Sequence, residues 1–213
     1  MKKVTPTKKS ERMPAVDLEP ALLTAARKLL TEEGSSALSV RRIADEAGVA
    51  PMGVYNRFEN KNGIVEALFR QGFVEFDAAL NAVEFPIGTE RNLQKAYLES
   101  AVELCAKYRE FAIGNPGLYQ MMFMKSVADF EPSPDALGEA FRAFGTLVER
   151  VEWGQRAKIL VSGDSSEIGQ RVWATCHGAA SLEIAGIGKH LDHERHFRLL
   201  VSTLFRGLLR APK

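Results

Sequence analysis

Cysteine is scarce in this 213-residue chain, with only Cys105 and Cys176, far apart in the sequence. Both lie in segments that read as helical and apolar. They read as buried free thiols, with a ligand-facing or redox role as the alternative. Long hydrophobic runs are missing too, and nothing approaches the roughly 20 apolar residues that span a bilayer. The N-terminus carries Lys2 and Lys3, then Thr, Pro, Lys, Ser and Glu, without the apolar core of a secretory signal, so a cytoplasmic location is expected. Convincing period-two alternation, internal repeats and low-complexity tracts beyond the basic N-terminus are absent as well, which leaves an all-α reading. Hydrophobic and charged fractions of 46% and 26% are ordinary for a folded chain and argue against wholesale disorder.

The net charge of +1 hides an asymmetry. Residues 1–61 hold 11 Lys/Arg against 8 Asp/Glu, and residues 62–213 hold 17 against 19. Within residues 1–12, Lys2, Lys3, Lys8, Lys9 and Arg12 face only Glu11. Such an arm either contacts phosphates or a minor groove, or is a solvated tail.

What is present is concentrated in residues 39–61, SVRRIADEAGVAPMGVYNRFENK. Ser39 can cap a short helix, with Leu38 and Ile43 as a hydrophobic staple. Gly48 can close that helix in the left-handed region, and Pro51 stands where a second helix needs no N–H donor. A tight two-helix corner of this kind is the helix-turn-helix plan, whose second helix enters a DNA major groove.

The remaining pattern predicts a first helix over about Leu18–Glu33, and a connector over about Asn62–Leu80 whose apolar residues wrap much of its circumference. Further helices are expected at about Glu90–Phe111, Leu118–Met124, Pro134–Val151, Glu167–Ile187 and Asp192–Leu209. This gives a basic flexible arm (1–17), a three-helix head (18–61) and a body of about six helices (62–213).

With Ser39-Val40-Arg41-Arg42-Ile43-Ala44, Ala47-Gly48-Val49, Val54-Tyr55, Phe58 and Asn60-Lys61 in this order, the head resembles the TetR family of bacterial transcriptional regulators over about Ala21–Leu68. The resemblance implies phosphate contacts at Ser39, Tyr55 and Lys61, and a groove-facing surface at Pro51, Met52, Tyr55 and Asn56. Of the groove positions, Asn56 alone can read adenine through two hydrogen bonds, while Pro51 and Met52 suit a thymine methyl. Gly53 would permit a close backbone approach. Arg41 and Arg42 are either phosphate ligands or solvated charges. Ala50 departs from the polar cap common at that position, which removes one hydroxyl contact.

In the body, Asn115-Pro116-Gly117-Leu118-Tyr119 with Met122-Phe123, then Trp173-Ala174-Thr175-Cys176-His177-Gly178, resembles a C-terminal domain type named for its Trp-His-Gly pattern. A ligand pocket is expected there by the same resemblance. Aromatic, thioether and thiol side chains, Phe76, Cys105, Met122, Phe144 and Trp173 among them, suit an adaptable apolar cavity or an ordinary core. Tyr97, Tyr119 and His177 are the candidate polar anchors. An enzyme built on Cys176 and His177 would lack an orienting acid; the i, i+3 spacing of His193 and His196 could bind a metal, but a solvent-facing hinge with His190 is the preferred reading. On the last two helices Leu182, Ala185, Leu200, Leu204 and Phe205 are expected to form a two-fold four-helix interface.

The combined expectation is a ligand-responsive homodimeric repressor on a pseudo-palindromic double-stranded operator, released by a small apolar or aromatic effector. An activator of the same family, or a small-molecule sensor or carrier whose head binds another partner, are the alternatives. Catalytic activity, cofactors, metals and membrane contact are not expected.

Overall fold

The computed structural model describes residues 15–87, 89, 91–190 and 192–210. The basic arm expected over residues 1–17 lies mostly outside them, and its last residues already belong to the first helix. Among the described residues the chain forms nine α-helices and one 3₁₀ turn, with no strand. It divides into two compact units, Met1–Val65 and Glu66–Lys213.

In the first unit, α1 (Ala15–Glu32) starts a turn earlier than the sequence suggests, with Pro20 inside it. As the sixth residue Pro20 forgoes one backbone bond, to the carbonyl of Val16, yet the helix continues through it, so it does not mark the boundary. Leu22, Ala25, Ala26, Leu29 and Leu30 form its buried stripe. After the 3₁₀ turn (Ser35–Ala37), α2 (Val40–Ala47) is capped by Ser39, whose Oγ accepts from Arg42 N at 3.3 Å. Leu38 and Ile43 are both buried beside that cap, as a staple requires. Gly48 ends α2 at φ 68°, ψ 28°, where a Cβ would be strained, and the chain turns into α3 (Pro51–Phe58) with Pro51 in its first turn. α1 packs on both α2 and α3. Burying each Leu or Ile of this small core contributes roughly 1.5–3 kcal/mol.

The long helix α4 (Lys61–Asn81) begins in the first unit and continues into the second. In the second unit come α5 (Leu93–Gly114), α6 (Pro116–Phe123), α7 (Pro134–Arg156), α8 (Ser165–Ile184) and α9 (His193–Leu208). Each of the last three opens on a side-chain cap. Ser133 accepts from Ala136 N at 3.2 Å, Asp164 from Ser166 N and Glu167 N at 2.8 and 3.0 Å, and Asp192 from Arg195 N at 3.1 Å. α5 packs on α6, α8 and α9, and α8 on α5, α7 and α9. Arg109 of α5 closes a two-pronged ion pair with Glu183 of α8, at 2.8 and 2.6 Å. The segment after α7 pairs with the segment after α9 through Val161 N→Leu208 O and Arg210 N→Ile159 O, an isolated bridge that the pattern does not announce. No helix among the described residues is long and apolar enough to cross a membrane.

Candidate functional site

The outer side of α3 is bare. Met52 is 64% exposed and Tyr55 50%, with Pro51 and Asn56 also exposed, while Val54 on the opposite side is fully buried. A Cβ on Gly53 would lie 3.7 Å from Leu18 and 3.9 Å from Val49, ordinary contact distances, so half-buried Gly53 sits where α3 borders α1.

Sequence reasoning overlooks two features at the end of α3. Asn60 Oδ1 accepts from Gly63 N at 3.1 Å and so caps α4, with Lys61 the first residue of that helix. The positive end of a helix and an ammonium thus coincide, an arrangement suited to an anion. Gly63 is pressed against the carbonyl of Phe58, where no side chain fits. The corner from α3 into α4 needs that glycine, and only its lack of a Cβ signals it.

Cations on the head are partly engaged. Arg42 Nη2 pairs with Glu33 at 2.5 Å, Lys28 with Glu46 at 2.6 Å, and Arg57 with Glu19. Arg41 is exposed, and Ser39 and Lys61 are half-buried. Exposed pairs such as Arg42–Glu33 contribute only about 0–1 kcal/mol, so a phosphate can displace the carboxylate.

The second unit contains a cavity of about 360 Å³. Phe69, Phe73, Phe76 and Leu80 of α4 form one wall and Leu137, Ala140, Phe141, Ala143, Phe144 and Leu147 of α7 the facing one. Tyr108, Met122, Phe123, Gln170 and Trp173 complete the lining. Phe141, 70% exposed, and the exposed Leu137 and Gln170 mark its rim. The interior is overwhelmingly aromatic and aliphatic, and edge-on ring contacts such as Phe76–Tyr108 (5.1 Å) and Phe73–Phe123 (5.2 Å) stiffen it. Polar bonds flank the cavity between the same two walls. Glu66 accepts from Ser133 at 2.6 Å at one end. Between Phe76 and Leu80 Asp77 accepts from Thr146 at 2.7 Å, and beyond the other end buried Arg150 donates to the carbonyl of Val83 with its guanidinium 3.8 Å over the Phe85 ring.

Of the expected ligand contacts, Phe76, Met122, Phe144 and Trp173 line this cavity, whereas Tyr97, Cys105, Tyr119 and His177 do not. Tyr97 stacks flat on Trp153 at 5.8 Å and donates to Arg150 O at 3.2 Å. Burial pushes its hydroxyl well above the usual phenol range. Cys105 meets Cys176, and that contact together with burial raises the Cys105 thiol. Tyr119 lies one layer behind the wall, its hydroxyl 2.7 Å from both Tyr108 Oη and His177 Nδ1, and burial lifts it to about 12. Burial lowers His177. The polar residues that do line the cavity, Tyr108 and Gln170, are not singled out by the sequence.

The expected interface residues divide as well. Leu182 (53%), Ala185 and Leu200 are exposed, joined by Ile187 and Leu199 (57%). Leu204 is half-buried, and Phe205 is 2% exposed with its ring edge-on to Tyr97, so Phe205 belongs to the protomer's own core.

Residues 22–68 match the sequence profile described as bacterial regulatory proteins, tetR family, and residues 101–204 the profile described as tetracyclin repressor-like, C-terminal domain. The chain belongs to the TetR family of bacterial transcriptional regulators. Over 50 residues, 24% of this chain and 26% of the relative's length, the TetR-family chain is 40% identical to the uncharacterized HTH-type transcriptional regulator YvkB of Bacillus subtilis. The curated relative is thus spanned over about a quarter of its length. Among solved structures, a protein with unknown function from Rhodococcus sp. RHA1 superposes with a TM-score of 0.79 at 24% identity, over 96% of this chain and 100% of that one. A TetR-family transcriptional regulator from Thermus thermophilus gives 0.66 at 19% identity, over 89% and 99%. At these identities the likeness concerns the TetR fold.

Proposed function

We propose that this TetR-family chain is a homodimeric, DNA-binding repressor that leaves its operator when an apolar or aromatic effector occupies the cavity of the second unit. The observation that carries the DNA-binding reading is the exposed face of α3, where Met52, Tyr55 and Asn56 stand outward while Val54 anchors the other side. A helix so presented, preceded by a capped partner and followed by an anion-suited helix start at Lys61, has the parts that a major-groove reader needs. Tyr55, Ser39 and Lys61 act as phosphate ligands in this reading, and Asn56 as the base reader.

Dimerisation is supported by the exposed apolar residues of α8 and α9, Leu182, Ala185, Leu199 and Leu200, which the described residues of the chain leave uncovered. Two protomers would then present their α3 helices to successive major grooves, roughly 34–36 Å apart. The cavity supports the effector class, because its rings and aliphatic side chains offer little to a charged molecule. An occupant shifts α4, the helix shared by both units, and so disturbs the spacing of the two heads. By linkage the operator must weaken effector binding by the same factor, typically about 5–150-fold.

A gel shift with the DNA upstream of the protein's own coding sequence tests the first step. Retarded bands competed away by that DNA and not by unrelated duplex support the reading. Equal competition by both duplexes overturns sequence-specific regulation.

A further inference from the structure

Four side chains of the second unit form one unbroken hydrogen-bonded chain. Trp173 Nε1–H donates to Tyr108 Oη at 3.1 Å, Tyr108 Oη lies 2.7 Å from Tyr119 Oη, and Tyr119 Oη lies 2.7 Å from His177 Nδ1. Its first two members line the cavity. Its last, His177, is half-buried on α8, on a helix that also carries the exposed Leu182. Burial holds the imidazole toward its neutral form, so it carries one proton on either of its two nitrogens.

With the buried Ser181 hydroxyl donating to Tyr119 from the side, the protons of this chain can be ordered in two ways. An indole N–H only donates, which fixes the Trp173 end. In the first order Tyr108 donates to Tyr119, Tyr119 donates to Nδ1, and the ring proton sits on Nε2. Every hydroxyl proton is then used inside the chain. In the second order Nδ1–H donates to Tyr119 and Tyr119 donates to Tyr108. The Tyr108 oxygen now accepts from both Trp173 and Tyr119, and its own proton has no acceptor within the chain. An unmet buried hydroxyl proton is unfavourable, so the empty protein takes the first order.

We propose that the Tyr108 hydroxyl is the polar anchor of the cavity, selecting apolar ligands that carry one hydrogen-bond acceptor such as a ketone or ester oxygen, and that seating this acceptor reverses the chain. The inference rests on the cavity being the effector site and adds the chemistry that the effector must have. On reversal both hydroxyls keep their protons and turn. One proton leaves Nε2 for solvent and one is taken up at Nδ1, so the count is unchanged. The acceptor content of the ligand is thereby written into the tautomer of His177. Gln170 is the other polar side chain in the lining, but it lies at the exposed rim and is not connected to this chain.

Two probes of nearly equal shape, 2-acetylnaphthalene and 2-ethylnaphthalene, test the proposal. Each is titrated into the full chain, and the imidazole ¹⁵N shifts of His177 are recorded before and after. The ketone is expected to bind on the order of tenfold more tightly than the hydrocarbon, the contribution of roughly one hydrogen bond to a buried donor. That preference disappears in Tyr108→Phe and survives in Gln170→Leu. His177 is Nε2-protonated without ligand and with the hydrocarbon, and Nδ1-protonated with the ketone. Equal affinities, a preference lost in Gln170→Leu but kept in Tyr108→Phe, or a ligand-free His177 already protonated on Nδ1 each overturn the anchor while leaving the cavity reading intact. Failure of both probes to bind overturns the cavity reading, and the anchor with it. The tautomer of the ligand-free wild-type protein needs no variant, so a poorly folding Tyr108→Phe does not blunt the test.

Discussion

Gly72→Ala sets two opposing effects against each other at the cavity wall. Gly72 lies within α4, and a Cβ there would come 2.7 Å from Met122 Sδ, 3.3 Å from Met122 Cγ and 3.3 Å from Leu118 Cδ1. Non-bonded heavy atoms settle near 3.5–4.0 Å, so Met122 must retreat by about 1 Å. Alanine is favoured over glycine inside a helix by roughly 0.8–1.0 kcal/mol. Overpacking a rigid site costs about 1–3 kcal/mol, but an off-rotamer thioether costs only about 0.5–1.5 kcal/mol. Met122 lines the cavity, so open space adjoins it. The thioether therefore swings into that space, and the two contributions nearly cancel. Gly72→Ala should leave unfolding free energy within about 1 kcal/mol of wild type, read by urea denaturation through Trp153 and Trp173 fluorescence. The displaced Met122 then occupies part of the 360 Å³, and 2-acetylnaphthalene binds more weakly. In a Met122→Ala background the clash with sulfur is gone, and the same glycine substitution becomes stabilising, leaving mainly the ~1 kcal/mol helix preference. A loss of more than about 2 kcal/mol with unchanged probe binding would refute the reasoning, because it would mean that α4 moves and Met122 does not.

Asn56→Ala should relax base preference at one position of the operator at a cost of ~1–3 kcal/mol, while Tyr55→Phe weakens all operators alike; competition binding with single-base variants distinguishes them. Leu199→Asp should convert dimer to monomer in light scattering with little loss of protomer stability, whereas Phe205→Ala should cost about 3–5 kcal/mol by opening the protomer core. A dimer that survives Leu199→Asp contradicts the α8–α9 interface. Because burial lowers the His177 pKa, the unfolded chain binds the proton more readily than the folded one. The His177 contribution to stability is thus complete above its ordinary value near 6.5 and is lost as pH falls below that value through the lowered folded pKa. Denaturation midpoints at pH 7.5 and 5.5 should converge in His177→Gln relative to wild type.

The α2–α3 corner is legible in the sequence because its determinants are local. Ser39 caps the helix that begins at the next residue, Gly48 supplies a left-handed residue, and Pro51 opens the second helix, each within one turn of where it acts. The outward set on α3 comes from the same periodicity. Gly53 is harder to place, because helical spacing says which side a residue faces only after the packing partner is known, and its neighbour Leu18 comes from α1. The same limit governs the cavity. Phe76, Met122, Phe144 and Trp173 are reachable by composition, but Tyr97, Tyr119 and His177 are polar residues without an address. Which of them faces the cavity depends on how the helices meet, and the fold gives that position to Tyr108. α9 shows the problem in its simplest form. Phe197, Val201, Phe205 and Leu208 turn inward while Leu199 and Leu200 turn outward, and a sequence carrying apolar residues on both sides does not say which side waits for another chain.

The arrangement around α4 gives a physical reason for the proposed ligand-dependent response. Four apolar residues of α4 face α7 across the cavity, so over that length the two helices are separated by space instead of interlocked side chains. What joins them is a few polar bonds, Glu66 with Ser133 and the Val83 carbonyl with Arg150 beyond the lined stretch and Asp77 with Thr146 within it. Hydrogen bonds of this kind contribute about 0.5–1.5 kcal/mol each, rising to roughly 1.5–3 kcal/mol where a charged group takes part. A seam held by a few such bonds resists displacement by only a few kcal/mol. An effector burying about 150 Å² of apolar surface would contribute near 4 kcal/mol at 25 cal/mol per Å², enough to compete. Only the part of that energy that differs between the two positions of α4 can shift them, so tight binding alone does not release the operator. The effectors that work should therefore be those too large for the cavity at rest, and a series of probes of rising volume should show operator release setting in well after binding does.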